Sequence, residues 1–280
     1  MTDSDRTITV RRMAFPFSAD MERVFIRNDP AGSYLFLGTW MMLPYLEPYL
    51  IRTMGQALPH VTDPALKAAI RGFCAQEGEH HRQHARANDV IRSLRPGFAA
   101  LKALEAELDA EYRSFTRTRS LAFNLAYAEG FEALTCATAC TQLQLGAFDR
   151  VDSPLAALAK WHVMEELEHR SVAFDVYRHI VGGWRRRVIA GIRAQAHFIR
   201  WGLRFARLMR EADAETMAAY DSPAQRADRN AFNRLYLRHF LPRALRMHMP
   251  WYDPARIALP PAYEEARQHF SAVATEAAPV

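Results

Sequence analysis

A helix that carries a glutamate and a histidine three residues apart aims both side chains at one point, and this chain writes that word twice. Glu77-Gly78-Glu79-His80 and Glu166-Leu167-Glu168-His169 lie in segments that read as long helices. A single Glu-x-x-His is most often a solvated helix face. Two at corresponding places in a largely apolar helical chain are harder to dismiss, because buried charges are costly unless paired or bound to metal. Glu47 and Glu129 offer a lone carboxylate on each of two further helices, so the order along the chain is Glu, Glu-x-x-His, Glu, Glu-x-x-His. Four rods of this kind bring together the ligands of a dinuclear site.

The punctuation supports rods and little else. Residues 1–30 read as an irregular arm, with Phe15-Pro16-Phe17 and Asp29-Pro30 hostile to helix. A first helix is expected from about Ala31 to Leu58, kinked or split beside Glu47 by Pro44 and Pro48. Thr62-Asp63-Pro64 opens a second helix to about Leu94, with an N-cap and a proline at the first helical position. A shorter charged helix near 98–114 leads to a helix over 117–148 carrying Glu129, and Asp152-Ser153-Pro154 opens one over 154–181 closed by Gly182-Gly183. No strand-like alternation is evident, so the class is all-α. The expected architecture is a ferritin-like four-helix bundle over 31–182. A helical extension and tail over 183–280 packs on it, with helices near 184–212 and from Pro223 to about Phe240.

Within the motifs, His162 precedes Glu166 by four residues and His169 follows it by three, so these three share one arc of helix, while Glu165 and Glu168 turn toward a neighbouring helix or solvent. His84 stands one turn beyond His80. Glu132 lies one turn beyond Glu129 and is an alternative ligand or a carboxylate behind one. Asn88 and Asp175, farther along the ligand-bearing helices, are candidates to hold imidazole N–H groups or to join helices. Carboxylates and imidazoles without thiolate favour iron or manganese over structural zinc.

Thirty-six Lys and Arg against thirty-one Asp and Glu give a net charge of +5. The surplus is local arginine, not a nucleic-acid signature. Arg186, Arg193, Arg200 and Arg207 recur every seven residues, with Ile189, Ile192, Ala196, Ile199 and Leu203 read as the opposite, apolar stripe. This helix is either packed with a solvated arginine face or, over 184–210, in contact with an anionic membrane surface or acidic partner. Three cysteines at no zinc or disulfide spacing favour a reducing compartment, and no signal peptide or membrane span is evident, so a cytoplasmic location, peripheral at most to a membrane, is expected.

Several blocks resemble a known bacterial family, labelled predicted metal-dependent hydrolase, whose fold is ferritin-like. These are Ile8-Thr9-Val10-Arg11-Arg12-Met13, Pro44-x-x-Glu47, Gln76-Glu77-x-x-His80-x-x-x-His84-x-x-x-Asn88, Glu129-x-Phe131 and Trp161-His162-x-x-Glu165-Glu166-x-Glu168-His169-x-x-x-Ala173-Phe174-Asp175-x-Tyr177. The likeness covers roughly residues 8–200. This chain departs from it in having Gly130 and Glu132 where the family more usually has His and Thr. His162, Glu166 and His169 are also similar to the pattern of di-iron arylamine N-oxygenases, a resemblance that implies His162 as a seventh ligand.

The expected site is thus two irons, or manganese, held by Glu47, Glu77, His80, Glu129, His162, Glu166 and His169. The expected chemistry is O2-dependent oxidation of a hydrophobic small molecule with an external electron donor, and a homodimer is compatible with the sequence. The alternatives are dinuclear metal-dependent hydrolysis and a metal-binding bundle without turnover.

Overall fold

Asp29, Asp63, Ser153 and Ser222 each accept a hydrogen bond from a backbone N–H of the turn they open, with proline following directly, so helix starts are written into the chain. In the computed structural model, which describes residues 8–26 and 28–279, the result is an all-α protein. The charged start of the expected arm, residues 1–7, and Arg27 lie outside the described residues.

The helices are α1 (Pro30–Trp40), α2 (Leu43–Ala57), α3 (Pro64–Ser93), α4 (Leu101–Thr118), α5 (Leu121–Gln144), α6 (Pro154–Glu168) and α7 (Val172–Ile180). They continue as α8 (Trp184–Ala212), α9 (Ala214–Ala219), α10 (Pro223–Arg246) and α11 (Ala262–Val273). α2 packs on α3 and α5, α6 and α7 pack on both α3 and α5, and the larger of two apolar clusters runs between them.

Three expectations change. The first helix splits at Met41-Met42, ahead of the prolines, because Pro44 falls in the first turn of α2, where a missing N–H costs nothing. Pro48 sits inside α2, and the Pro44 carbonyl it cannot reach is met by the His81 imidazole. The helix expected over 154–181 breaks after Glu168, with Arg170 Nη1 donating to the Leu167 carbonyl that a continuing helix would use itself. The arm is not wholly irregular: β1 (Thr9–Arg12) pairs antiparallel with β2 (Glu276–Pro279), and β1 packs on α3.

α8 also turns out differently. At 100° per residue its apolar and arginine stripes lie about 70° apart, neighbours rather than opposites, and both face solvent. Ile189, Ile192, Ile199 and Leu203 are each roughly half exposed, while Gly191, Ala194, Gly202 and Ala206 make the packed side. Small residues allow the close crossings: a Cβ on Gly130 of α5 would stand 2.4 Å from the Gly191 Cα, and one on Gly38 of α1 2.5 Å from the Gly202 carbonyl oxygen. Gly130 is therefore a packing requirement of the α5–α8 crossing. Gly130→Ala must push backbone from backbone and is expected to lose about 1–3 kcal/mol, read as a lower denaturant midpoint at unchanged slope. Gly55→Ala, with open space around it, should instead gain about 0.5–1 kcal/mol.

Candidate metal centre

α3 turns Glu77, His80 and His84 inward, α6 brings His162 and Glu166, and His169 follows at its end, all of them buried. Glu47 joins from α2 and Glu132 from α5. His169 Nε2 lies 3.5 Å from Glu77 Oε1, 3.4 Å from Glu166 Oε2 and 3.5 Å from Glu132 Oε2. His80 Nδ1 lies 3.9 Å from both Glu77 Oε2 and Glu166 Oε1. His162 Nε2 is 3.2 Å from Glu166 Oε1, and His84 Nε2 is 3.2 Å from His162 Nδ1 and 3.8 Å from Glu47 Oε1. These side chains form four overlapping triads, each with ligand atoms within 4.8 Å: Glu47–Glu77–His80, Glu77–Glu132–His169, Glu47–His84–His162 and His80–His162–Glu166.

Glu129 is not in this cluster. Its Oε1 accepts from Arg187 of α8 at 2.8 Å, so it serves the α5–α8 crossing beside Gly130. The lone carboxylate that α5 contributes to the cluster is Glu132. Three residues separate the two, and sequence periodicity alone could not choose; what decides is which side of α5 meets α8. Asn88 does not hold an imidazole: its Oδ1 accepts no hydrogen bond among the described residues, while its Nδ2 donates to the Met41 carbonyl and to Glu105. Asp175 lies on α7, past the helix break, and belongs to none of the four triads.

The imidazoles of His80 and His169 are fixed from behind by the turned-away Glu165 and Glu168, with Gln76 and Arg11. His80 Nε2 lies 3.1 Å from Glu165 Oε2, so the tautomer donating there leaves Nδ1 with a lone pair facing the cluster. His169 Nδ1 donates to Gln76 Oε1 at 3.0 Å, leaving Nε2 inward. Gln76 in turn donates to Glu168 Oε2 at 2.7 Å. Arg11 of β1, 1% exposed, closes the network: Nη1 donates to Glu165 at 3.0 Å, and Nη1 and Nη2 hold both oxygens of Glu168. A carboxylate or amide behind each ligating imidazole is the usual means of fixing tautomer and ring orientation. The one local signal for Arg11 was the β-branched run Ile8-Thr9-Val10, too short to weigh against the prolines.

Burial and mutual repulsion shape the charges. Desolvation, with the neighbouring carboxylates, raises Glu47 and Glu77 well above the ordinary range and Glu132 to about 7. Burial drives His80 and His162 down to about 3, so their lone pairs are free. Burial works against a charged Glu166, yet His169 and His162 hold it below the usual carboxylate range.

The residues fit a pair of cations. Both oxygens of Glu47 and of Glu132, Glu77 Oε1, Glu166 Oε2, His80 Nδ1 and His169 Nε2 are buried with no hydrogen-bond partner among the described residues. Such groups are rarely left unsatisfied in a native interior. A carboxyl whose folded pKa is raised stabilises the fold below its unfolded pKa and loses that contribution as pH climbs through the folded value. The depressed imidazoles of His80 and His162 work the other way up to the ordinary histidine range, so the loss from the carboxyls should emerge in the metal-free protein as pH climbs through about 7. Ligand deprotonation favours the cations over the same range, so the melting-temperature gap between loaded and chelator-treated protein should widen from about pH 5 to about pH 7.5. A gap independent of pH would contradict this.

A family model described as predicted metal-dependent hydrolase matches residues 9–258. That span contains every residue of the cluster and runs past α10, beyond the reach of the motif blocks. No curated protein and no solved structure matches the chain. Among the described residues, no helix is long and apolar enough to cross a membrane.

Proposed function

The chain belongs to the family of predicted metal-dependent hydrolases, and from that premise we propose that its buried cluster is a dinuclear metal centre that hydrolyses a hydrophobic small molecule. The supporting observation is the set of unpartnered carboxylate oxygens and imidazole nitrogens turned toward one another in the core. In this reading Glu47, Glu77, His80, Glu132, Glu166 and His169 hold two ions, with His162 and His84 at the Glu47–Glu166 side. Glu129 has no part in it.

A second reading has its own support. One glutamate from each of α2 and α5, with a Glu-x-x-His from each of α3 and α6, is the donor pattern of ferritin-like di-iron and di-manganese carboxylate proteins. That pattern favours O2-dependent oxidation with an external electron donor. When bound, a metal pair supplies either Lewis-acid activation of water or, as ferrous iron, the electrons to reduce O2.

The protein's contribution is the same in both. Glu165 and Gln76 hold the two imidazoles in their ligating tautomers, and Arg11 holds Glu165 and, through Glu168, Gln76. Trp161, Phe73 and Trp40 set their rings edge-on to His80, His169 and His84, which keeps water out and strengthens every electrostatic contact inside.

Metal analysis followed by reloading separates the readings. Hydrolysis of ester or phosphoester substrates under anaerobic conditions, with zinc or manganese bound, supports the first. Anaerobic ferrous loading followed by O2, with O2 consumed and a transient near-ultraviolet or visible band, supports the second. No activity with any loaded metal under either condition would overturn both.

A further inference from the structure

α5 forms one wall of a second feature. A cavity of about 400 Å3 lies between α5, α10 and the segment after α10, within the range that holds small-molecule ligands. Its apolar floor comes from Ala133, Ala137, Met247, Tyr252 and Ile257, and Cys136 and Cys140 line the α5 side. Its polar wall is cationic: Arg238, Arg243 and Arg246 line it, with His239 among them.

These arginines differ from those that pair with carboxylates elsewhere in the fold. Arg187 and Arg204 spend their charge on Glu129 and Glu107, and Arg11 on Glu165 and Glu168. Arg243 meets only neutral groups, the His239 carbonyl at 2.8 Å and Gln144 Oε1 at 2.5 Å. Among the described residues no carboxylate pairs with Arg238, Arg243 or Arg246. Three uncompensated guanidinium groups over an apolar floor match a ligand with an oxyanion at one end and hydrocarbon at the other, since the planar fork binds carboxylate and phosphate oxygens in pairs.

We propose that this cavity is a binding site for a small amphiphile whose carboxylate or phosphate-ester head meets Arg238, Arg243 and Arg246 and whose apolar body lies against Ala133, Ala137 and Met247. The site stands on its own lining and does not depend on what the metal centre does.

Calorimetric titration of the full chain with decanoate, decyl phosphate and decan-1-ol, all below micelle-forming concentrations, tests it. One anion is expected to bind at a single site per chain, at least about tenfold more tightly than the alcohol. The paired substitution Arg238→Ala and Arg246→Ala, both at exposed positions, should weaken the anion by at least about tenfold while leaving the alcohol unchanged. Ala137→Trp should fill the cavity and abolish binding; if that variant fails to fold, the arginine pair still decides. Tighter binding of decyl phosphate assigns a phosphate head, and tighter binding of decanoate a carboxylate. Absence of binding by both anions, wild-type affinity in the arginine pair, or equal affinity for the alcohol overturns the proposal.

Discussion

Glu166→Ala is expected to hold at most one metal ion per chain and to lose activity to background, the largest functional effect of any single change in the cluster. Glu166 is its shared centre: His162 and His169 approach it at 3.2 and 3.4 Å, and His80 at 3.9 Å. Removing a group behind a ligand costs about 10–100-fold in metal affinity, and removing a carboxylate that three of the cluster's imidazoles approach should cost more. Metal content per folded chain measures this directly. Glu129→Ala is the contrasting variant. It should keep both ions, yet destabilise the protein by about 3–5 kcal/mol by stranding the buried Arg187. A Glu129→Ala protein that lost its metal while Glu166→Ala kept both would reverse the assignment.

Arg11→Met should have a large effect on the fold and a second effect at the centre. Arg11 is buried against Glu165 and Glu168, so its loss leaves two carboxylates facing each other without a cation, at about 3–5 kcal/mol. It should also loosen metal binding by about 10–100-fold, because Glu165 and the Gln76–Glu168 pair lose what aims His80 and His169. Urea unfolding reads the first effect and competition with a chelator the second. Arg11→Lys restores the charge but not the fork that holds both Glu168 oxygens, so it should fall between. Metal affinity unchanged in Arg11→Met would show that the network steadies the terminal strands and nothing more.

The helical class and the meeting of Glu47, Glu77, His80, His162, Glu166 and His169 were legible because helix caps and three- and four-residue spacings are local facts. Glu129 against Glu132 was not, because both sit on α5 about 60° apart. The choice is made by α8, whose approach needs Gly130 and Gly191 and claims Glu129 through Arg187. Arg11 escaped for a similar reason. Its partners lie more than 150 residues away, and the strand that carries it exists only because residues near the other end of the chain pair with it. On α8 the apolar residues were visible but their surroundings were not: glycine and alanine make the tight crossings, and the isoleucines are left outside.

Metal stoichiometry is the most direct test of the central claim. The full chain, reconstituted with ferrous iron, manganese or zinc, desalted and analysed by elemental mass spectrometry, should retain two ions. That number should fall in Glu77→Ala and Glu166→Ala and hold in Glu129→Ala. Retention of no ion, or of two in all three variants, would contradict a dinuclear centre at this cluster.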